Sequence, residues 1–265
     1  MVGGLVGRIR LGSNELYKCT NDGALNFTTT FGYTNSSKSF NIGGLAGYVY
    51  EVNTIRECEN KANGDIILNN ARKLYSHYVG GIVGFNYQSC AIIDSTNRGD
   101  IEFKTNSVAS NRVAYAGGII AAISYANKIY CEGCANYGNI TVPSDCGVAD
   151  ANCRVGGIIG TINKKSTAPY LAKGCTYNAS ITAPYTNVGC IIGETYATAE
   201  GYYTPTNTAT EFPVRNCIVD GAIKNKLVTV TNLNANNFAN YIYSATPTVA
   251  SWKATATLYH GNKNQ

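Results

Sequence analysis

One six-residue pattern, Val-Gly-Gly-Ile-Ile-Gly, returns through most of the chain and constrains the fold more than any other feature. Its copies begin at Val2, Ile42, Val79, Ala116, Val155 and Val188. The first glycines of neighbouring copies lie 40, 37, 37, 39 and 33 residues apart. Repetition at that period predicts a stacked fold, in which each unit buries its apolar face against its neighbours.

A second pattern, Cys-x-Asn-x-Gly-x-Ile, follows each copy of the first. It is clearest at residues 19–25, 95–101 and 134–140, weaker at 175–181 and 217–223, and carries two inserted residues in the second repeat. Small thiols suit a crowded interior corner, so we expect a structural cysteine ladder of Cys19, Cys58, Cys134, Cys175 and Cys217. Asparagine bonds to nearby backbone and tolerates left-handed conformation, which predicts a second ladder of Asn21, Asn60, Asn97 and Asn136 at a turn.

The distribution of apolar residues predicts an all-β fold. They occur in runs of two to four bounded by Gly, Asn and Thr, and no 3.6-residue period is sustained. We therefore predict a right-handed parallel β-solenoid of about six coils over residues 1–223. Residues 224–265 break the repeat, contain Trp252, and are expected to form a C-terminal β cap. A six-bladed propeller is the alternative, although it needs more strand signals per repeat than the sequence contains.

The two patterns together resemble the GLUG-type repeat of bacterial surface proteins, which include adhesins and non-catalytic regions of secreted proteases. The resemblance covers residues 2 to about 223. The segment 228–243 is similar to the closing segment of such proteins from gut Bacteroidetes. The resemblance implies a β-helix exported to the cell surface, and it implies no catalytic residues.

Composition agrees with an extracellular or cell-surface location. Charged residues make up 14% of the chain, against roughly 25% in an average globular protein, and 20 tyrosines are present. The net charge of +5 forms no basic face, so we expect no nucleic-acid partner. No apolar run reaches the roughly 20 residues of a membrane helix, and an export signal or a further domain is expected upstream of residue 1.

The remaining cysteines suggest a disulfide more strongly than a metal site. Cys146 and Cys153 could close a loop if the compartment is oxidising. Together with Cys131 and Cys134 they could also form a four-thiolate zinc site, but Cys134 belongs to the interior ladder. We expect no metal and no cofactor. His77 is interpreted as a solvated loop residue.

Two further groups are candidates for a site. Asp65 and Asp100 occupy matching positions before an isoleucine, so they could stack one coil apart and bind a cation or act as acid and base. Solvated turn acids are the commoner outcome. Five tyrosines in or beside loops are candidate platforms for sugar rings, or else cover the flank of the solenoid: Tyr75, Tyr78, Tyr115, Tyr202 and Tyr203.

The function predicted from these observations is a non-enzymatic surface module for adhesion or for display of other domains. Its loops would recognise a host glycan or a matrix protein, because loop length is what varies between repeats. Two alternatives stay open. One is a carbohydrate-active β-helix enzyme, a polysaccharide lyase or glycosidase, and the other is a filament subunit that assembles through an uncapped first coil.

Overall fold

We describe the chain from a computed structural model. The residues described are 1–10, 12, 14–29, 39–51, 53–70, 76–104, 108, 111–124, 129–149, 152–162, 171–185, 187–195, 214–215 and 217–224. The predicted cap therefore lies almost wholly outside the described residues. Within them the regular structure is β-strand, and no helix is long and apolar enough to cross a membrane.

Thirty short strands form five sheets of six strands each, named A to E in chain order. Sheet A contains β1 (Val2–Gly3), β6 (Ser39–Gly43), β11 (Ser76–Gly80), β16 (Ala114–Gly117), β21 (Cys153–Gly156) and β26 (Val188–Gly189). Sheet B contains β2 (Val6–Arg10), β7 (Ala46–Tyr50), β12 (Val83–Asn86), β17 (Ile120–Ile123), β22 (Ile159–Ile162) and β27 (Ile192–Thr195). Sheet C contains β3 (Asn14–Tyr17), β8 (Asn53–Arg56), β13 (Cys90–Ile93), β18 (Ile129–Glu132), β23 (Ala172–Lys173) and β28 (Val214–Arg215). Sheet D contains β4 (Thr20–Asn21), β9 (Glu59–Asn60), β14 (Thr96–Asn97), β19 (Ala135–Asn136), β24 (Thr176–Tyr177) and β29 (Ile218–Val219). Sheet E contains β5 (Leu25–Thr29), β10 (Ile66–Asn70), β15 (Ile101–Phe103), β20 (Ile140–Thr141), β25 (Ser180–Thr182) and β30 (Ala222–Lys224).

Every pairing between these strands is parallel and joins neighbouring repeats. In sheet A, for example, Val79 pairs with Ile42 on one side and with Ala116 on the other. A propeller blade would instead pair the strands of one repeat with each other. The predicted all-β parallel solenoid is therefore confirmed. Four of its coils each lie between two neighbouring coils, and one further coil lies at each end. The right-handed winding stays a prediction.

The core is a set of aliphatic columns that run along the solenoid. The first aliphatic residue after each glycine pair lies in the corner between sheets A and B, and the next begins the strand of sheet B. From the second coil onward both positions are fully buried, as Leu45 and Ala46 or Ile82 and Val83 show, whereas Leu5 and Val6 of the first coil are partly exposed. The corner redirects the chain, so two consecutive side chains enter one core, which strict strand alternation does not allow. Each large aliphatic side chain buried in this way contributes about 1.5–3 kcal/mol.

Asn21, Asn60, Asn97 and Asn136 form a hydrogen-bonded ladder that is buried inside the solenoid. The Asn21 amide donates to Oδ1 of Asn60, Asn60 to Asn97, and Asn97 to Asn136, each over 2.8 Å. Each amide also donates to a backbone carbonyl of its own turn, as Asn97 does to Gly99 at 2.9 Å. The ladder stops at Tyr177, which takes the asparagine position in the fifth coil.

The second glycine of each Gly-Gly pair is required because a backbone carbonyl of the next coil and the side chain of the asparagine position fill the place of a Cβ. A Cβ on Gly44 would lie 2.6 Å from Asn60 Cγ, and a Cβ on Gly81 would lie 2.3 Å from Asn97 Cγ. In the fifth coil Gly157 would meet the ring of Tyr177 at 2.5 Å in the same way. The two sequence patterns are therefore the two sides of one contact across the interior.

The cysteine ladder is also present, with Ser95 as its third member. Cys58, Cys134, Cys175 and Cys217 are buried, reduced thiols, and Cys19 in the end coil is half-buried. The thiols of Cys58, Cys134 and Cys175 donate to backbone carbonyls of the preceding coil, as Cys134 does to Ile92 at 3.2 Å. The residue just before each of the first five ladder positions has a left-handed backbone: Lys18, Glu57, Asp94, Gly133 and Gly174. The sharp turn thus lies before the cysteine, whereas the asparagine two residues later belongs to a short strand.

Alanine at Gly81 tests the glycine–asparagine contact. The new Cβ would lie 2.1 Å from the Gly118 carbonyl oxygen and 2.3 Å from Asn97 Cγ, so we expect a loss of about 3 kcal/mol or more in the free energy of unfolding. Gly23→Ala is the matched control, because its Cβ would find its nearest atom, Asn21 Oδ1, at 3.9 Å. Urea titration followed by circular dichroism measures both. Equal stability of the two variants would contradict the contact.

Candidate functional site

Strand connections vary strongly in length at only two of the five corners, as judged from the strand bounds. From sheet A to sheet B the connection is always two residues, for example 44–45. From sheet B to sheet C it ranges from residues 51–52 in the second coil to 196–213 in the sixth. From sheet E to sheet A it ranges from residues 71–75 to 142–152. These two corners flank sheets A and B on either side.

The outer faces of sheets A and B enclose a groove. Tyr78 of sheet A contacts Phe85 of sheet B edge to face, with ring centroids 5.0 Å apart, although both rings lie outside the main core. Outer side chains of adjacent sheets diverge at a convex corner, so this contact requires the corner to be concave. The rings pack with Tyr115, Ala121 and Ala122 in a second, smaller apolar cluster. We call this concave surface the A/B groove.

Two columns of aromatic rings stand on the sheet B side of the groove. Tyr48 stacks on Phe85 with centroids 5.6 Å apart, and Tyr50 stacks on Tyr87 at 5.1 Å. The members of each column come from successive coils, so the ring planes face along the solenoid axis and the ring edges point outward. All four side chains are half-buried. Burial raises the pKa of Tyr48 above its usual value.

Three arginines contact rings at the ends of the groove. In the first coil the guanidinium of Arg8 lies 5.2 Å from the Tyr48 ring centroid, and that of Arg10 lies 5.9 Å from Tyr50. In the fifth coil Arg154 lies 4.7 Å from the ring of Tyr115 and donates a hydrogen bond to its hydroxyl. Burial raises the pKa of Tyr115 to about 12, with the positive charge of Arg154 acting in the opposite direction.

The structure places two of the five predicted tyrosines in this groove. Tyr78 and Tyr115 contact each other edge to face at 5.3 Å. Tyr115 is only 6% exposed, so its ring serves packing more than contact with a ligand. Tyr75, Tyr202 and Tyr203 lie outside the described residues, and their role stays a prediction.

Sequence reasoning missed the rings of sheet B. Tyr48 and Phe85 each follow the third glycine of the repeat, as Arg8 does in the first coil. In-register columns bring these equivalent positions together. Comparison of the residue after the third glycine between repeats would have found the column.

Asp65 and Asp100 do lie one coil apart, as the sequence suggested, but they are joined by backbone hydrogen bonds. Oδ1 of Asp65 accepts the N–H of Asp100 at 2.8 Å, and Oδ1 of Asp100 accepts the N–H of Asn139 at 2.7 Å. Asn139 then accepts the N–H of Ser180 at 3.0 Å with its amide oxygen. The two carboxylates therefore belong to a side-chain ladder that supports the turn before sheet E.

The structure contains no disulfide between Cys146 and Cys153. Both are buried free thiols, and Cys146 Sγ lies 3.3 Å from the hydroxyl oxygen of Tyr185. Burial raises the pKa of the Cys146 thiol. Across the described part of the chain, no group of three or more His, Cys, Asp or Glu side chains is placed to hold a metal ion, and this includes the thiols considered for zinc.

His77 is buried in β11, so its interpretation as a solvated loop residue is wrong. It pairs in sheet A with Phe40 and Ala114, and its ring stacks on Phe40 at 5.8 Å. Removal from water disfavours the charged imidazolium and lowers the pKa of His77 to about 3.

The fold and ladders define a repeat protein of the parallel β-solenoid class. The family model described as the GLUG motif matches residues 75–102, which is consistent with a GLUG-type repeat. Those residues lead through β11 into β15 and so make one whole coil. The resemblance drawn from the two sequence patterns is thereby confirmed, while an origin in gut Bacteroidetes stays a prediction. Comparison with curated proteins and with solved structures gave no match.

Substitution of Asp100 tests whether its carboxylate supports the turn before sheet E. Asp100→Asn keeps an oxygen that accepts the Asn139 N–H, as the amide of Asn139 does one coil later, so we expect stability within about 0.5 kcal/mol of the parent protein. Asp100→Ala removes the acceptor and is expected to cost about 1 kcal/mol. Thermal or urea unfolding measures both. Equal losses for both variants would contradict the ladder.

His77 makes stability depend on pH between its two pKa values. The unfolded chain takes up a proton near pH 6.5, whereas the folded chain resists until about pH 3. The contribution of neutral His77 is therefore complete above pH 6.5 and is lost as the pH falls toward 3. At pH 4.5 the difference is about 2–3 kcal/mol.

The measurement compares the parent protein with His77→Phe and His77→Leu by urea unfolding at pH 7.5 and pH 4.5. Both variants should lose less stability between the two pH values than the parent does, because the carboxylates are common to all three proteins. The same pH dependence in all three would show that His77 is not protected from protonation.

Proposed function

We propose that this chain is a non-enzymatic β-helix module, secreted or displayed at the cell surface, that recognises a carbohydrate along the A/B groove. The observation that carries the proposal is the position of sequence variation. The long and variable connections occur at the two corners that border the groove, and the half-buried rings of Tyr48, Tyr50, Phe85 and Tyr87 stand between them. Loops on a rigid scaffold are the usual place for recognition.

The residue types that could perform chemistry are engaged in supporting the coils. Asp65 and Asp100 accept backbone N–H groups, and the buried asparagines bond to each other. Burial raises the pKa of the Cys134 thiol well above its usual value, which keeps it protonated and unreactive. A binding role therefore fits these side chains better than hydrolysis or elimination of a polysaccharide.

The tyrosine hydroxyls and ring edges suit a carbohydrate. Tyrosine offers an apolar ring beside a hydroxyl that donates and accepts hydrogen bonds. Rings from successive coils repeat about every 4.8 Å along the axis, so one extended chain could contact several of them. Adhesion to a host glycan is the biological role that this arrangement favours, and a matrix protein is the alternative ligand that the test includes.

A glycan array and a panel of immobilised matrix proteins test the proposal with three proteins. We expect the parent protein to bind a glycan, and Tyr50→Ala to weaken that binding about tenfold, or about 1.4 kcal/mol. Tyr137→Ala is the matched control, because Tyr137 is an exposed tyrosine outside the groove that also contacts an arginine. Circular dichroism verifies that each variant is folded.

Three outcomes would overturn the proposal. Equal effects of the two substitutions would remove the groove as the site. Binding to matrix proteins alone would replace the carbohydrate with a protein ligand. The absence of any binding would leave the module as a spacer that displays other domains.

A further inference from the structure

We propose that the ligand of the A/B groove is an acidic polysaccharide, whose carboxylate or sulfate groups pair with Arg8 and Arg10 while its sugar rings lie along the aromatic columns. This inference rests on the proposed carbohydrate-binding function and narrows the class of ligand. It starts from a difference between the cations of the groove and those on the other faces.

Among the described residues, several cations on the other faces of the solenoid are paired with carboxylates. Arg56 contacts Glu15 and Glu57, and Arg98 contacts Glu59 at 2.8 Å. The lysines behave in the same way, in the pairs Lys61–Asp22, Lys104–Glu102 and Lys173–Glu132. These charges are balanced within the protein and offer little to an anionic ligand.

Arg8 and Arg10 differ, since both are exposed and their contacts among the described residues are with tyrosine rings. A guanidinium on a ring face keeps its N–H edge available for a bidentate bond to a carboxylate or sulfate. The ring also holds the flexible side chain in place, which reduces the entropy that binding would cost. The pair therefore provides two oriented donors at the first coil.

Charge is distributed unevenly along the groove. Arg154 adds a third cation in the fifth coil, which lies about 19 Å along the axis from the first. The three arginines lie on both sides of the groove, because Arg8 and Arg10 belong to sheet B of the first coil and Arg154 belongs to sheet A of the fifth. An extended polyanion of several sugar units would thus meet positive charge at two places along the groove.

The orientation of the rings favours a polysaccharide over a single-stranded nucleic acid. Nucleic-acid bases bind by stacking on open aromatic faces. Here the face of Tyr48 is covered by Arg8 on one side and by Phe85 on the other, and Tyr50 lies in the same way between Arg10 and Tyr87. What remains are ring edges and hydroxyl groups, which can contact the C–H and O–H groups of a sugar.

The test uses the whole chain and matched pairs of polymers. Biolayer interferometry compares polygalacturonate with its methyl-esterified form, and dextran sulfate with dextran, so that carboxylate and sulfate are distinguished from each other and from neutral sugar. A single-stranded oligonucleotide serves as a non-carbohydrate polyanion. The proteins are the parent, the double variant R8Q/R10Q, Tyr50→Ala, and R98Q as the control for loss of a ring-stacked positive charge elsewhere.

We expect the parent to bind an acidic polymer at least tenfold more tightly than its neutral partner, with an affinity that falls as salt is added. R8Q/R10Q should lose at least tenfold in affinity for the acidic polymer, whereas R98Q should change by less than twofold. An equal loss in R98Q, or tighter binding of the oligonucleotide, would overturn the proposal.

The result also separates this inference from the proposed function. Binding of neutral and acidic polymers with equal affinity, insensitive to the arginines but lost in Tyr50→Ala, would remove the acidic ligand and leave carbohydrate recognition in place. Binding of an acidic polymer that is unchanged in both R8Q/R10Q and Tyr50→Ala would remove the groove and so both proposals.

Discussion

The packing of an asparagine amide against a glycine, repeated across the interior, is the contact on which the rest of the solenoid depends. The amides of Asn60, Asn97 and Asn136 leave no room for a Cβ on Gly44, Gly81 or Gly118. Because each amide also bonds to the next coil, the contact fixes both the width of a coil and the register between coils. Leaving a buried amide without a hydrogen-bond partner costs free energy, so a slip in register that broke the bonds between these asparagines would be destabilising.

The far end of the ladder shows how tightly the two positions are coupled. Tyr177 replaces the asparagine in the fifth coil, and its ring is fully buried against Gly157 and Gly221. In the sixth coil the second glycine is itself replaced by Cys190, and the facing position is Val219. The asparagine–glycine contact of the earlier coils is thus replaced in the fifth coil by the contact of the Tyr177 ring with Gly157.

Sequence reasoning predicted the features that repeat along the chain and missed those that are set by tertiary packing. The coils, the cysteine and asparagine ladders and the stacking of Asp65 on Asp100 all follow from equivalent positions in successive repeats. The burial of His77 was missed because the sequence around it resembles a loop, and its strand is set by pairing with Phe40 and Ala114. The left-handed turn was assigned near the asparagines, whereas Lys18, Glu57 and Asp94 adopt it. Aspartate is common in that conformation, but lysine and glutamate are not, so at Lys18 and Glu57 tertiary structure overrides local preference.

The register between coils also has a mechanical consequence. In each sheet a strand pairs only with the strands of the two adjacent coils, so neighbouring coils support one another while distant ones share no contact of this kind. If the two ends of such a rod were pulled apart, an end coil could detach while the ladders of the remaining coils stayed intact. Each step would release one repeat, such as the 37 residues from Gly43 to Val79. Under load, such a rod would lengthen by about one repeat at a time, while the coils that had not detached would keep their folded surface.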